Sequence, residues 1–482
     1  MFAIREFRGL WSAQALSYTG DQVAQVAIAV LVYGKTGSAF LTTLAYALTY
    51  IPPIIGGPLL SGLAELFPRH RVMITLDLIR GGLVAVMVLP QMPFAGLCAL
   101  LFGTVMLGPP FSAARSALLP DILPPEKFLT GSAIGNVTFQ ISQIAGFVLG
   151  AGAVAALGPR GALALDALSF CLSATVVASW VEPRPAPARD TETQPSMLAL
   201  TRDGAVLVFS DRTLRTLVFF GWLAGFAVVP EGLAAPYART LGGGPLTVGL
   251  LMAAMPVGTL VGAFAIGHLA RPSDRMRPMG WLAMLSCAPL IVSLLHPPFW
   301  LVLALWVLAG AGGAYQLAAA AAFVRALPRS GRARAFGIAQ SGLLAAQGLG
   351  ILAGGALAQR VGAQAAVALA GTFGLILAAA LATGWSRQHG EMAMPRSEAP
   401  PATVTQAPAT HTPAAQTLTT QTPAAQTATQ AAEPQPRMPL PKLRCPHCGC
   451  GHNRSGAVLM QPEAAEDEFM QPPRDLRMPR TS

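Results

Sequence analysis

Apolar residues recur along this chain in blocks of about 20 residues, separated by short polar connections rich in Arg, Pro and Gly. The blocks fall at residues 8–34, 39–64, 72–91, 94–118, 129–157 and 162–181, then at 213–236, 246–270, 277–296, 299–324, 334–360 and 363–385. A helix rises about 1.5 Å per residue, so each block can cross a hydrocarbon layer about 30 Å thick, the longer ones with tilt. The pattern predicts an all-α polytopic membrane protein of twelve transmembrane helices.

Composition agrees. Of 482 residues, 53% are hydrophobic and 11% charged, against about 25% charged in soluble domains. The net charge of +10 raises nucleic acid as a partner, but its distribution argues against that. Alternate connections hold Arg5, Arg8, Arg69, Arg71, Arg115, Lys127, Arg184, Arg189, Arg202, Arg212, Arg215, Arg271, Arg275, Arg277, Arg325, Arg329, Arg332 and Arg334. The other connections hold only Lys35, Arg160, Arg239 and Arg360. Such asymmetry is a topology signal, and it places both termini in the cytoplasm. No basic patch interleaved with aromatics is present to stack bases. The stretch after the short basic N-terminus is too long and too polar at its centre for a cleaved signal peptide, and reads as a retained first span.

The longest connection, 182–212, contains "EPRPAPARDTETQP", a linker composition, and divides the blocks six and six. At a constant offset Leu63, Ala64, Arg69, Arg71 and Met73 meet Leu269, Ala270, Arg275, Arg277 and Met279. Further on, Gln143, Gly146, Gly150 and Gly158 meet Gln347, Gly350, Gly354 and Gly362. The expected organisation is thus a six-helix unit at 1–181, a cytoplasmic loop at 182–212, a related six-helix unit at 213–386 and a tail at 387–482. Such repeats belong to the logic of secondary transporters.

At "GLAELFPRHR" (62–71) the chain resembles the major facilitator superfamily, whose signature there is G-x-L-A-D-R-x-G-R-R. "FRGLWSAQALSYTGDQ" (7–22), "LDLIRG" (76–81), "ARSALLPDILPPE" (114–126) and "LDALSF" (165–170) resemble its drug and siderophore exporter branch, of the macrolide-efflux kind. Glu65 stands where that family has Asp, and Leu66 where it has Arg, so the gating role of the loop transfers only in part. The resemblance implies a gating loop of Gly62, Glu65, Arg69 and Arg71, with Asp77 and Arg80 just beyond. It also implies a central cavity lined by spans 1, 4, 5, 7, 10 and 11.

Gln14, Ser17, Asp21 and Gln25 are spaced by three and four, so they share one helix face. Asn136, Gln140 and Gln143 share another, and Gln340 and Gln347 a third. Amides inside a membrane most often hydrogen-bond a neighbouring helix, for about 0.6 kcal/mol. Asp21 differs, because a carboxylate at mid-span costs about 3 kcal/mol and is functional by default. Its expected role is to bind and release a proton, with structural pairing and direct contact with a cationic substrate as alternatives. Glu231, in "VVPEGLAAPY", sits where Pro230, Gly232 and Pro236 break a helix. It reads as an interfacial cap and as the second candidate for protonation. Asp77 and Arg80, three apart, read as a mutual ion pair, Asp166 as a helix-start residue near the outer surface, and Arg115 as a topology charge.

No phosphate-cradling G-x-x-x-x-G-K-[ST], zinc-protease helix or nucleophile elbow occurs, so neither ATP-driven pumping nor another enzymatic activity is expected. The tail repeats "TPAAQT" and lacks the apolar residues of a core, which predicts disorder. "CPHCGCGH" (445–452) gives Cys445 and Cys448 the spacing of two zinc ligands, which Cys450 or His452 can complete. No second C-x-x-C follows, so this is half a zinc ribbon, and reactive or inert thiols are the alternative. Zinc in the tail is the one cofactor considered. The sequence thus points to a multi-pass protein of the inner or plasma membrane, monomeric, exchanging a small amphipathic molecule for protons. An uncoupled facilitator, or a non-transporting receptor or scaffold working through its tail, are the alternatives.

Overall fold

The computed structural model describes residues 1–60, 63–185, 197–269, 278–327 and 331–393. Every regular element among them is helical. The helices are α1 (Arg5–Thr36), α2 (Ala39–Leu60, interrupted near residues 48–51), α3 (Arg69–Met87), α4 (Phe94–Ile122) and α5 (Pro125–Trp180). Beyond residue 197 come α6 (Met197–Ser210), α7 (Arg212–Gly232), α8 (Ala234–Thr240), α9 (Pro245–Leu269), α10 (Met279–Leu295), α11 (Phe299–Ala326), α12 (Arg332–Val361) and α13 (Ala363–Ala393).

Nine of the helices among the described residues are long and apolar enough to cross a membrane, fewer than the twelve apolar blocks. The difference has local causes. α5 covers two blocks and turns at Gly158, whose φ of 73° and ψ of 170° a side chain would resist, with Pro159 supplying no N–H to continue the ladder. α3 carries Arg69, Arg71, Asp77 and Arg80 within 19 residues, which lowers its hydropathy. α10 is short and ends in a 3₁₀ turn. α6 departs from the expectation that 182–212 is a plain linker. Gly204 and Val208, one turn apart, are buried, with Gly204 against Arg334 and Ile338 of α12. α13 runs on past residue 386 to Ala393.

Three apolar cores hold the bundle. One joins α1–α5 to α7–α13 around Val26, Tyr46, Phe147, Leu233, Met252, Trp306 and Ile351, toward the end that carries Lys35. The other two lie toward the opposite end and are private to each set of helices. Phe7, Met73, Phe111 and Leu118 centre one; Phe220, Tyr315, Phe323 and Trp385 centre the other. The two sets are therefore packed together at the Lys35 end and hold separate cores at the other. Their seam at the Lys35 end is made by glycine: Gly249 lies on Phe147 and Ala151, Gly348 on Ile51, and Gly355 on Thr43. Gln359 Oε1 pins it, accepting from the Ser38 hydroxyl (3.1 Å) and the Phe40 N–H (3.4 Å).

Small residues also set the close crossing of α9 and α11. A Cβ on Gly258 would overlap the backbone of Val307 and Ala311, and one on Gly310 the backbone of Met255. Gly57, by contrast, has open space where a Cβ would go. Gly258→Leu should lower the melting temperature of the detergent-purified protein or abolish its monodisperse elution, because overpacking costs about 1–3 kcal/mol. Gly57→Ala should leave both unchanged; equal behaviour of the two variants would contradict this packing.

Candidate functional site

Arg80 lies on the inward face of α3, with Asp77 one turn before it. Its guanidinium reaches α1 and donates to both oxygens of Asp21, at 2.9 and 3.1 Å. It also donates to the Ser17 hydroxyl (3.4 Å) and the Thr104 carbonyl (3.3 Å). The Phe170 ring of α5 covers its face at 4.3 Å. A planar, forked cation suits this arrangement, since it can be shared by a carboxylate, a hydroxyl and an aromatic face at once. Asp77 stands 3.9 Å from Arg80 and takes a 2.6 Å hydrogen bond from Ser173. Asp77 Oδ1 has no hydrogen-bond partner. Asp166, 1% exposed, completes the group from the second arm of α5, held by the Ser169 hydroxyl at 3.3 Å. Gly20 lets that arm approach α1, because a Cβ there would overlap Ser169 and Asp166.

The cluster forms one wall of a cavity of about 410 Å³. Asp21 faces the cavity with its side chain 28% exposed, whereas Arg80 and Asp77 behind it are buried. Tyr18 and Phe139, which meet edge to face at 5.1 Å, border the cavity together with Gln22 and Gln25 of α1 and Leu344 of α12. Three carboxylates and one guanidinium cannot all stay ionised in a dry site at low cost. The arrangement can therefore take up and release protons beside a space large enough for a small organic molecule.

The expected site residues divide. Asp21 and Gln25 reach the cavity, while Gln14 and Ser17, on the same face, are buried as hydrogen-bond partners. Gln14 donates to the Gly135 carbonyl (3.3 Å) and accepts from Arg115. Arg115 is thus engaged inside the bundle, beyond marking topology. Asp77 and Arg80 do not stay with the loop or pair mainly with each other; they belong to the Asp21 cluster, because the nearest carboxylate to Arg80 comes from another helix. Asp166 is not a helix-start residue near a surface. The helix restarts at Pro159, so Asp166 is well inside it. Glu231 is not an interfacial cap either: it is 8% exposed and accepts a 3.0 Å hydrogen bond from Tyr46.

Asn136 and Gln340 are exposed, Gln140, Gln143 and Gln347 half-buried, and none borders the cavity. In the loop, Arg69 bridges to Asp121 (2.7 Å) and the Ala117 carbonyl (2.9 Å), and Arg71 is exposed. Gly62, the side chain of Glu65, and Cys445, Cys448, Cys450 and His452 lie outside the described residues. Sequence reasoning missed Thr104, Phe170, Ser173 and Tyr46 as partners. Asp166, Phe170 and Ser173 recur at spacings of three and four from "LDALSF", a helix-face signal that could have found them.

Breaking the cluster at its cation should cost more than breaking it at one anion. Arg80→Ala leaves Asp21, Asp77 and Asp166 uncompensated and should cost about 3–5 kcal/mol or prevent folding. Asp21→Asn leaves Arg80 with Asp77 and should cost less. Thermal unfolding of the two purified variants checks the order, and the reverse order would contradict a shared cation.

The family profile of the Major Facilitator Superfamily matches residues 10–234 and 232–425. The chain is 28% identical over 247 residues to YkuC, an uncharacterised MFS-type transporter of Bacillus subtilis, a match covering 48% of this chain and 57% of that one. It is 23% identical over 281 residues to macrolide efflux protein A of Streptococcus pyogenes (56% and 68% covered). With the multidrug efflux pump Tap of Mycobacterium tuberculosis it shares 26% over 297 residues (59% and 71% covered). The chain thus spans little more than half the length of YkuC and about two thirds of the two efflux proteins. Among solved structures, a bacterial homologue of the human lysosomal transporter Spinster, inward-facing and unoccupied, superposes with a TM-score of 0.63 at 15% identity, covering 80% of this chain and 98% of that one. A POT family transporter in complex with 5-aminolevulinic acid gives 0.65 at 12%, covering 80% and 96%. At such identities these likenesses speak for the fold alone. With the profile matching most of its length, the chain belongs to the Major Facilitator Superfamily.

Proposed function

We propose that this protein is a secondary active transporter of the plasma or inner membrane that exports a small amphipathic molecule in exchange for protons. Twelve membrane crossings, six to each half about the 182–212 connection, carry it, with both termini in the cytoplasm. The Arg-rich ends are then cytoplasmic, and the two private cores lie toward them. The observation that carries the reading is Asp21, on the cavity wall with both oxygens on Arg80. A proton arriving at Asp21 removes half of that ion pair. A substrate entering beside Tyr18 and Phe139 perturbs the same carboxylate. Proton and substrate thus act on one group, which is what exchange requires. The names of the efflux relatives support export as the direction.

The halves alternate by closing at the arginine end while opening at the Lys35 end. In the loop, Gly62, Glu65, Arg69 and Arg71 serve the inner gate; the Arg69–Asp121 bridge ties α3 to α4 as one moving piece. The pathway is complete within one chain. The cavity mixes apolar walls such as Val84, Met87 and Leu163 with Gln25 and Asp21, and so suits amphipathic compounds. In the tail, Cys445, Cys448, Cys450 and His452 form a zinc site separate from transport.

An efflux-deficient bacterial host tested against a panel of toxic amphipathic compounds, at matched membrane levels, checks the proposal. The intact chain should raise resistance to some of them. Asp21→Asn should lose at least about tenfold of the gain, corresponding to a loss of about 1.4 kcal/mol in coupling, and truncation after Ala393 should keep it. Resistance that survives Asp21→Asn and an uncoupler points to a facilitator, and loss on truncation alone points to a tail-dependent receptor.

A further inference from the structure

Glu231 is a buried carboxylate that the Asp21 cluster does not use. It lies in α7 where Pro230 and Gly232 interrupt the helix into single turns. Among the described residues no cation pairs with it. The ionisable groups that face it are Tyr46 and Tyr50 of α2, whose rings lie 6.0 Å apart. α12 presents Ile351 beside Gly232. The only ionisable side chain of α9 is His268 at its far end, and α13 has none before Arg387. On α8, Tyr237 packs on Trp306 at 5.3 Å, and Arg239 is exposed.

Its one side-chain hydrogen bond among the described residues, 3.0 Å from Tyr46, crosses the seam between the two sets of helices. It does so beside Gly348 on Ile51 and Gly355 on Thr43, the packing that closes the Lys35 end. Tyr46 also borders a void of about 10 Å³, close to the space of one water, together with Gln25, Ile28, Thr49 and Leu101. Those four residues border the main cavity as well. Polar groups therefore lead from Asp21 past Gln25 and Thr49 to Tyr46 and Glu231.

We infer that Glu231 is a second proton-binding site, set in the seam that closes the Lys35 end and joined to the Asp21 cluster through Tyr46 and the adjoining void. This rests on the proton-coupled reading above and adds where the external proton binds. With the seam parted, Glu231 faces the outside and takes a proton there. Burying a neutral acid against Tyr46 costs far less than burying an anion without a cation, so the protonated form favours closure. Passage of that proton to the Asp21 carboxylate leaves Glu231 ionised in the seam, and that charge favours reopening.

Spin labels on cysteines at Thr36 and Thr240, in a chain lacking its native cysteines, report the distance across the Lys35 end by pulsed electron resonance. Lowering the pH from 8 to 5 should enrich the short distance severalfold in the parent chain. Glu231→Gln, a neutral isostere that still accepts from Tyr46, should keep the short distance at every pH. Tyr46→Phe should deplete it, and serves should Glu231→Gln fail to fold. A pH response unchanged in Glu231→Gln but lost in Asp21→Asn overturns this second site and leaves coupling at Asp21 standing. A response absent from the parent chain, or unchanged in both variants, overturns both.

Discussion

A guanidinium buried in a bundle of apolar helices must be neutralised, and most of the N-terminal helices are arranged around that demand. Arg80 draws its acceptors from α1 and α4 and its aromatic cover from α5, so four helices converge on one side chain. Gly20 allows the closest of these approaches. The cation also sets a limit on the site. Removing it strands several anions, whereas altering any one anion leaves the others to hold it, which makes the carboxylates the adjustable members.

The cavity inherits its chemistry from this arrangement. Only Asp21 among the three acids has substantial exposure, so the space meets chiefly one carboxylate, with Arg80 and Asp166 at the back of the same wall and Asp77 behind them. Aromatic and aliphatic side chains supply the rest of the wall. A site of this kind recognises shape and apolar surface broadly, with one polar point of reference.

Much of the helical plan was legible because hydropathy blocks are a one-dimensional property. Asp21 was legible for the same reason: a lone acid at mid-span is costly wherever it packs. Its partner was not. Arg80 reads in sequence as the neighbour of Asp77, three residues away, because an i, i+3 pair is visible along the chain and a contact between α1 and α3 is not. Asp166 was misread through a boundary. Starting the helix at residue 162 puts this acid at a terminus, whereas the break at Gly158 and Pro159 puts it inside. The amide stripes failed differently. Their periodicity correctly gives a common face, but a face can look at a neighbouring helix, as Gln14 does toward Gly135, as well as at a cavity.

The arrangement of charges along the chain also bears on how the protein can be built. Every residue that holds Arg80 lies between Ser17 and Phe170, and the private core around Phe7, Phe111 and Val177 is likewise drawn from the first half, between Phe7 and Val181. A ribosome delivers that stretch before any of the C-terminal helices, so the most expensive charges can be neutralised while the second half is still unmade. Glu231 emerges later, when Tyr46 is already in the membrane to receive it. The order of synthesis thus lets the whole charge cluster close within the first half, independently of helices still to come.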